Sequence, residues 1–365
     1  MTKQGAVRVL VVDDSALMRQ MMSAHLSADP QIEVVGTAPD PHVARERIKA
    51  LDPDVVTLDI EMPHMDGITF LRKIMALRPM PVVMVSTLTQ RGAEVTLEAL
   101  TAGAVDFVAK PTHGSEEAQA EFAHELQAKI KAAGRTRVKV RPPASAPAAP
   151  RRPRPFTRAE DKIVFIGAST GGVEALKEVL SGLPQNCPPV LVTQHMPPRF
   201  TFAFAERLNR ECQVAVSEAV DAERIEPGHV YIAPGGFHLE IARRGGHHVC
   251  ALSVGAPVSG HRPSVNVLFE SAARVVGAAA VAVILTGMGK DGAEGLLSLR
   301  RAGAVTLGQD EATSLIYGMP RAAFEIGAVA RQYPITGVAD AILDACDAES
   351  VGRRASEPMF QDHRP

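Results

Sequence analysis

A strand, a turn and a helix follow one another in the stretch Lys162-Ile-Val-Phe-Ile-Gly-Ala-Ser-Thr-Gly-Gly-Val-Glu-Ala-Leu176. The apolar, β-branched run at residues 163–166 predicts a fully buried strand. Three glycines then mark a tight turn, and apolar residues at helical spacing follow it. Ser169 stands where the strand ends and the helix begins, so its hydroxyl is expected beside free backbone N–H groups. This geometry suits a nucleophile next to an oxyanion hole, but a serine that caps a helix also fits it.

The composition limits the classes of function that this chain can have. Its 365 residues suggest two or three domains, and its formal net charge of -2 implies no general attraction to nucleic acid or to an anionic membrane. The four cysteines have no C-x-x-C spacing, which predicts reduced thiols in a cytoplasmic protein rather than a zinc site or a disulfide framework. We find neither the apolar segment of a signal peptide nor an apolar run of about 20 residues, so no membrane insertion is expected.

Strands and helices alternate along the first third of the chain. Five apolar, strand-like runs, each followed by an amphipathic helix, occupy residues 8–133. This pattern predicts an α/β domain with a doubly wound parallel sheet. In such a sheet, ligands bind beyond the carboxyl ends of the strands.

Polar side chains stand at four of those strand ends. They are Asp13 and Asp14 after the first strand, Asp59 at the third, Ser86 at the fourth and Lys110 after the fifth. Three clustered carboxylates repel one another unless a cation lies among them, and ligation by oxygen alone suits Mg²⁺. A single aspartate at a strand end is usually a helix cap, but this combination is far harder to explain as caps. The sequence therefore predicts a magnesium site at this edge of the sheet.

This part of the chain resembles a response-regulator receiver domain over roughly residues 7–130, which implies that its doubly wound sheet is flavodoxin-like. The matching stretches are Val11-Val-Asp-Asp-Ser-Ala-Leu-Met-Arg19, Leu58-Asp-Ile-Glu-Met-Pro-His-Met-Asp-Gly67, Met84-Val-Ser86 and Ala109-Lys-Pro111. The resemblance implies that Asp59 accepts a phosphoryl group from a histidine kinase. The ligands that it implies for Mg²⁺ are Asp13, Asp14, Asp59 and the backbone carbonyl of Glu61. It also implies that Lys110 pairs with the phosphoryl oxygens, that Ser86 is the switch hydroxyl and that Phe107 is the switch aromatic residue.

The composition changes abruptly after this domain. Residues 135–158 are rich in Pro, Ala and Arg and have almost no apolar periodicity, which predicts a semi-rigid linker. Residues 348–365 are expected to form a disordered tail. The predicted organisation is therefore a receiver domain at 1–134, the linker, a catalytic domain at 159–347 and the tail. No helix-turn-helix pattern accompanies the arginines of the linker, so nucleic acid is not expected as a partner.

The alternation of strands and helices resumes after the linker. It predicts a second α/β domain with a mostly parallel sheet, and alternating residues at 237–241 and 248–254 predict an added antiparallel β-hairpin. Ser169, His195 and Asp291 each follow a different buried strand. Because the carboxyl ends of parallel strands meet at one edge of a sheet, these side chains can come together as a nucleophile, a base and an orienting carboxylate. Alone, His195 is more often an ordinary histidine and Asp291 a helix cap, but their joint placement weakens that interpretation.

From about residue 7 to residue 347, the chain resembles the CheB family of chemotaxis protein-glutamate methylesterases, which also deamidate glutamines. The motifs that carry the resemblance are Ile166-Gly-Ala-Ser-Thr-Gly-Gly172, Gln194-His-Met-Pro197, Tyr231-Ile-Ala-Pro-Gly235, Arg262-Pro-Ser-Val265, Leu285-Thr-Gly-Met-Gly-Lys-Asp-Gly292, Gln309-Asp-Glu-Ala-Thr-Ser314 and Gly318-Met-Pro-Arg321. The resemblance implies a catalytic triad of Ser169, His195 and Asp291. It also implies that the backbone N–H groups of Thr170 and Met288 form the oxyanion hole. Asn266 stands where we expect aspartate, which puts one local contact in doubt.

The resemblance implies a function as well. The expected protein is a phosphorylation-activated serine hydrolase that demethylates glutamate methyl esters and deamidates glutamines on methyl-accepting chemoreceptors. It would use Mg²⁺ at the receiver site and no cofactor in the catalytic domain. Two alternatives stay open, namely a receiver-gated hydrolase of another ester or amide and a non-catalytic response regulator that acts as a binding partner or phosphate sink. A DNA-binding regulator is disfavoured by the net charge and by the missing motif.

Overall fold

The computed structural model describes residues 5–62, 65–87, 89–111, 115–136, 157 and 161–347. These residues form two compact units, with the division of the chain at residues 148 and 149. Most of the predicted linker and the whole predicted tail lie outside the described residues, so the domain boundaries remain predictions. Within the described part of the chain, no helix combines the length and the apolar character that a membrane span requires.

The first unit is a five-stranded parallel sheet whose strands are connected by helices. Its strands are β1 (Val7–Val12), β2 (Ile32–Ala38), β3 (Val55–Asp59), β4 (Val82–Ser86) and β5 (Asp106–Ala109). Its helices are α1 (Ala16–Ser27), α2 (Pro41–Leu51), α3 (Gly67–Leu77), α4 (Gln90–Thr101) and α5 (Glu116–Gly134). The strand order is β2-β1-β3-β4-β5, and every neighbouring pair is parallel. This order confirms the predicted doubly wound, flavodoxin-like sheet.

The start of helix α3 holds the end of strand β3 in place. The Asp66 side chain caps the helix by accepting a hydrogen bond from the Thr69 N–H at 2.7 Å. The N–H of Gly67 donates to the Ile60 carbonyl at 2.9 Å. A Cβ atom at Gly67 would lie 2.1 Å from the carbonyl oxygen of Asp59. Only glycine allows this close approach, which fixes the backbone next to the Asp59 carboxylate.

The second unit contains a seven-stranded sheet and a separate two-stranded hairpin. Its strands are β6 (Ile163–Ala168), β7 (Val190–Gln194), β8 (Ala215–Glu218), β9 (His229–Ile232), β10 (His238–Arg244), β11 (His247–Ser253), β12 (Ala280–Ile284), β13 (Val305–Gln309) and β14 (Arg331–Tyr333). Its helices are α6 (Gly172–Ser181), α7 (Phe200–Glu211), α8 (Val265–Val275), α9 (Ala293–Arg301), α10 (Met319–Glu325) and α11 (Ile335–Cys346), with a 3-10 turn at Gly277–Ala279.

The large sheet is entirely parallel and has the order β14-β13-β12-β6-β7-β9-β8. Strands β10 and β11 pair with each other in antiparallel fashion, which confirms the predicted hairpin. Helices α8 and α9 and the hairpin share one buried apolar cluster with the sheet. Its members include Phe165, Leu191, Ile241, Phe269 and Leu296. This packing brings the N-terminus of α8 to the end of β6, where a Cβ atom at Gly167 would lie 2.2 Å from Cγ1 of Val265.

Three elements at the end of the second unit were not predicted from the sequence. They are α10, β14 and α11. Strand β14 has three residues and pairs with β13 at the edge of the sheet, so its pattern is too short for a period-two signal. Helix α11 has a buried apolar face and places Asp340 and Asp344 on its opposite, less buried side, so its sequence carries a helical period from which it could have been predicted.

Candidate active site

Three adjacent strands of the second unit end at the same edge of the sheet. Strand β6 lies between β12 and β7. Ala168 on β6 pairs with Gln194 on β7, so Ser169 and His195 are the next residues on these two strands. The His195 N–H donates to the Ala168 carbonyl at 3.1 Å, and the Ser169 N–H donates to the Thr286 carbonyl at 3.0 Å. Ser169 is therefore held between the ends of both neighbouring strands.

His195 and Asp291 form a buried pair. Their Nε2 and Oδ2 atoms are 2.8 Å apart, and the two side chains are 7% and 1% exposed. Because an ionised carboxylate only accepts, the Nε2–H group of His195 is the donor. The other ring nitrogen, Nδ1, is buried and has no hydrogen-bond partner in the part of the chain that the structure describes. Nδ1 therefore carries the lone pair that can accept a proton.

The Asp291 carboxylate lies at the N-terminus of α8, where it accepts hydrogen bonds on both oxygens. Oδ1 accepts from the Ser264 hydroxyl at 2.8 Å and from the Asn266 N–H at 3.2 Å. Oδ2 accepts from the Val265 N–H at 2.7 Å, in addition to His195. Burial acts to raise the pKa of Asp291, but the interactions with His195, Val265 and Ser264 outweigh it and lower the pKa below its usual 3.8. The carboxylate is therefore ionised at neutral pH and can stabilise a positive charge on His195.

Asn266, which stands in place of the expected aspartate, makes its contact with Asp291 through the backbone. Its side chain has a different role, because Oδ1 accepts from the Gly295 N–H at 2.9 Å in the first turn of α9. Its Nδ2 group donates to the Ser259 hydroxyl at 3.4 Å. The asparagine side chain thus connects the first turns of α8 and α9. Because the contact with Asp291 uses the backbone N–H, it does not depend on whether residue 266 is asparagine or aspartate.

Two loops that meet beside Ser169 contain Thr170 and Met288, the predicted oxyanion donors. The Thr286 hydroxyl donates to the Thr170 carbonyl at 3.0 Å, which connects the two loops. Among the described residues, the Met288 N–H has no hydrogen-bond acceptor. This N–H is therefore available to a ligand at the sheet edge, although its assignment to an oxyanion hole stays a prediction.

Two glycines allow the backbone around Ser169 to pack closely. A Cβ atom at Gly287 would lie 2.8 Å from Cβ of Ser169, and one at Gly172 would lie 2.0 Å from Oε1 of Gln194. Gln194 donates through Nε2 to the carbonyl oxygens of Ser169 and His195, at 2.9 and 3.2 Å. It was not among the predicted site residues, because an amide at a strand end has no distinctive spacing in the sequence. The structure identifies it as the side chain that connects the two strand ends.

Replacing Gly172 with alanine is expected to lower the free energy of unfolding by about 1–3 kcal/mol, because the new methyl group overlaps the Gln194 amide. Urea unfolding of the full chain measures this change. Gly337→Ala is the matched control, since a Cβ atom there meets only ordinary contacts at 3.7 Å or more. Alanine is favoured over glycine in a helix by up to about 1 kcal/mol, so this control is expected to be neutral or stabilising. Equal stability of the two variants would contradict the prediction.

A second cluster of charged groups lies in the first unit. Asp13, Asp14 and Asp59 each place one carboxylate oxygen within 4.8 Å of the others. The Lys110 ammonium is 2.9 Å from Oδ2 of Asp13 and 2.9 Å from Oδ2 of Asp59. Burial raises the pKa of Asp59 to about 6, against the opposing effect of Lys110. A largely buried donor set made only of oxygen fits Mg²⁺.

The other predicted receiver residues lie on or just after strands β3, β4 and β5. The Glu61 N–H is 3.4 Å from Oδ1 of Asp59. Ser86 is buried at the end of β4, where its hydroxyl accepts a hydrogen bond from the Thr96 hydroxyl at 2.8 Å. Phe107 is buried on β5. Thr96 was not predicted, because its contact with Ser86 depends on the packing of α4 against β4.

Comparisons with known proteins agree with this division into two units. Residues 164–342 match the family described as CheB methylesterase, and residues 9–120 match the response regulator receiver domain. The chain is 59% identical to protein-glutamate methylesterase/protein-glutamine glutaminase 1 of Caulobacter vibrioides, over 94% of this chain and 98% of that protein. It is 56% identical to the protein-glutamate methylesterase/protein-glutamine glutaminase of Rhizobium etli, over 94% and 98%. The CheB methylesterase catalytic domain of Thermotoga maritima is similar in structure, with a TM-score of 0.50 and 37% identity over 51% of this chain and 99% of that one. The chain therefore belongs to the CheB methylesterase family and carries a response-regulator receiver domain in its first unit.

Proposed function

We propose that this chain hydrolyses glutamate methyl esters and deamidates glutamines on methyl-accepting chemoreceptors, and that phosphorylation of Asp59 activates it. The names of its relatives from Caulobacter vibrioides and Rhizobium etli support this activity. The observation that carries the proposal is the buried His195–Asp291 pair, one strand away from Ser169. An ionised carboxylate, an imidazole with an available nitrogen and a serine at the adjacent strand end are the groups that acyl transfer requires.

Three side chains carry out the reaction. Nδ1 of His195 takes the proton of the Ser169 hydroxyl while the hydroxyl oxygen attacks the ester carbonyl carbon. Asp291 holds the imidazole through Nε2 and stabilises the imidazolium. The imidazolium then protonates the leaving methoxide, so methanol departs and an acyl-enzyme remains. Water, deprotonated by the same imidazole, hydrolyses the acyl-enzyme and restores Ser169; with a glutamine side chain, the leaving group is ammonia.

The backbone N–H groups of Thr170 and Met288 stabilise the oxyanion of the tetrahedral intermediate. Each donor contributes roughly 3–4 kcal/mol to the stability of the transition state, as in other oxyanion holes. The catalytic unit needs no cofactor for this chemistry, because the nucleophile, the base and the oxyanion donors all belong to the chain.

The receiver controls the activity through its own phosphorylation. The residues that would hold Mg²⁺ are Asp13, Asp14 and Asp59, together with the backbone carbonyl of Glu61. When bound, this ion neutralises charge on the phosphoryl group. Asp59 accepts that group from a chemotaxis histidine kinase and Lys110 pairs with its oxygens. Ser86 and Phe107 then change their contacts, which is the signal to the rest of the receiver.

The proposed setting is the cytoplasm. The partners are the histidine kinase that supplies the phosphoryl group and the chemoreceptors that carry the methylated glutamates. Nucleic acid is not a partner in this proposal, because the net charge is -2 and the sequence has no DNA-binding motif.

Methanol release from methylated chemoreceptor membranes tests this proposal. The full chain is expected to release methanol, and a small-molecule phosphodonor with Mg²⁺ is expected to accelerate the release. The Asp59→Asn variant is expected not to respond to the phosphodonor. If the chain hydrolyses a generic ester but releases no methanol from receptor membranes, the proposed substrate is wrong. If it hydrolyses neither, the proposed activity is wrong.

Binding of Mg²⁺ is expected to raise the unfolding temperature of the full chain, because the ion binds only to the folded receiver. At a concentration 100 times the dissociation constant, the stabilisation is about 2.7 kcal/mol. The Asp13→Asn variant removes one charge of the carboxylate cluster and is expected to lose most of this response. Glu33→Gln is the matched control, because this glutamate is exposed on β2 and lies outside the cluster. A full response in the Asp13→Asn variant would contradict the assignment.

A further inference from the structure

We infer that His261 is a positioning residue for the reaction. Its ring packs flat on the ring of His195, which fixes the plane of that ring and therefore the direction in which Nδ1 points. The two ring centroids are 3.7 Å apart and the planes differ by 14°. The inference rests on the proposed function in one respect, since it takes His195 as the base. It adds a fourth side chain to the three that the reaction mechanism uses.

The local backbone explains how His261 reaches this place. The N–H and carbonyl groups of Val258 and His261 bond to each other at 3.0 Å in both directions. The two residues between them have positive φ values, 54° at Ser259 and 81° at Gly260. A two-residue turn of this kind reverses the chain within four residues. The reversal directs the chain back toward the sheet edge at His261.

A single hydrogen bond is not enough to orient the base. The covalent link to Cβ and the hydrogen bond from Nε2 to Asp291 hold two points of the imidazole, but the ring can still turn about the line that joins them. Such a rotation would swing Nδ1 out of the direction in which it accepts a proton. A flat ring stacked at 3.7 Å on one face of His195 blocks the rotation. Because a misplacement of about 1 Å can cost roughly 100-fold in rate, this constraint bears directly on catalysis.

The segment that carries His261 is itself anchored at the site. The Ser264 N–H donates to Nδ1 of His238 at 3.2 Å, and Nε2 of the same histidine bonds to the Ala256 carbonyl at 3.0 Å. His238 is 2% exposed, so it connects the two ends of the turn from a buried position. Three residues after His261, the Ser264 hydroxyl bonds to Asp291. One short segment therefore contacts the base through His261 and the carboxylate through Ser264.

Two substitutions separate the effect of the flat ring face of His261 from the effect of its ring nitrogens. His261→Ala removes the ring, whereas His261→Phe keeps a flat aromatic face without the ring nitrogens. His247→Ala is the matched control, because this histidine is exposed at the end of the β10–β11 hairpin. For each variant, kcat and KM are measured with an ester substrate, together with the rate at which a fluorophosphonate labels Ser169.

We expect His261→Ala to lower kcat and the labelling rate by about 10- to 100-fold with KM unchanged. We expect His261→Phe to recover most of this loss and His247→Ala to match the wild type. Full kcat in the alanine variant would overturn the inference. A change confined to KM would also overturn it, and so would an equal loss of kcat in the alanine and phenylalanine variants. Either result would mean that the effect does not come from a flat ring against His195.

The labelling rate keeps this inference separate from the proposed substrate. If receptor membranes release no methanol but Ser169 is labelled in the wild type and slowly in His261→Ala, the substrate assignment fails and the role of His261 stands. If methanol is released at the same kcat with and without the His261 ring, the proposed function stands and the inference fails. If the fluorophosphonate does not label Ser169 in the wild type, both fail. Thermal unfolding of the alanine variant is expected to match the wild type, because the turn at residues 258–261 lies at the surface.

Discussion

Replacing Ser169 with alanine is expected to lower methanol release by about 10⁴- to 10⁶-fold. The substitution removes the oxygen that attacks the ester carbon, which the proposed mechanism obtains from this side chain alone. The fold is expected to persist, because Ser169 makes its bonds to the neighbouring strands through backbone atoms. Methanol release from receptor membranes and a thermal unfolding curve test the two parts of this expectation.

The same assay shows whether Ser169 and His195 act together in one step or contribute to the rate independently. His195→Ala alone, and the double variant with Ser169→Ala, are expected to be nearly as slow as Ser169→Ala, because the serine and the base act in one step. Ser181→Ala is the matched control, since this serine is exposed at the end of α6, the same helix that begins beside the nucleophile. Additive losses in the double variant, or substantial activity in Ser169→Ala, would contradict the proposed roles.

Replacing Asp291 with asparagine is expected to lower kcat by about 10⁴-fold, the loss seen when other triads are changed in this way. It is also expected to lower the free energy of unfolding by about 1–3 kcal/mol. In either orientation, the new NH₂ group meets a donor, the Val265 N–H on one side or the Asn266 N–H on the other. The measurements are methanol release and urea unfolding at neutral pH. Glu294→Gln, an exposed acid in the first turn of α9, is the matched control.

The stability lost in this variant is expected to depend on pH. Although burial opposes the shift, the hydrogen bonds to Asp291 lower its pKa in the folded protein below the usual 3.8. A lowered pKa stabilises the folded state above pH 3.8, and the stabilisation disappears as the pH falls through the folded value. The difference in unfolding free energy between wild type and Asp291→Asn is therefore expected to shrink on acidification. If the difference in unfolding free energy stays constant as the pH falls below 3.8, the charge of the Asp291 carboxylate does not stabilise the fold.

Much of the fold follows from the alternation of apolar runs and amphipathic helices. Strands of a parallel sheet are buried on both faces, so each one appears in the sequence as an uninterrupted apolar run. The ends of such runs are easy to locate, and the sequence alone therefore predicts that Ser169, His195 and Asp291 lie at one edge of the sheet. Strand β14 could not be found in this way, because three residues are too short for a period. Helix α11 could have been found, because its apolar residues have helical spacing and its two aspartates lie on the other side.

The contacts within the site could not be predicted in the same way. No pattern indicates that Nε2 of His195, rather than Nδ1, faces Asp291. The packing of α8 against the sheet decides that contact, as it decides the contact of the carboxylate with Ser264. His261 is separated from His195 by 66 positions of sequence, and only the turn at residues 258–261 brings their rings together. Such contacts depend on tertiary packing, which spacing along the chain does not encode.

The donors to Asp291 differ in how easily mutation can remove them. The Ser264 hydroxyl and the His195 ring are each lost through one codon change, but the N–H groups of Val265 and Asn266 belong to the backbone. Every amino acid except proline supplies such a group. Proline is also well tolerated in the first turn of a helix, so it would delete a donor without breaking α8. A substitution other than proline at Val265 or Asn266 thus keeps both N–H donors to the carboxylate, whereas the packing of Val265 against Gly167 and the bond from Gly295 to Asn266 depend on the side chains.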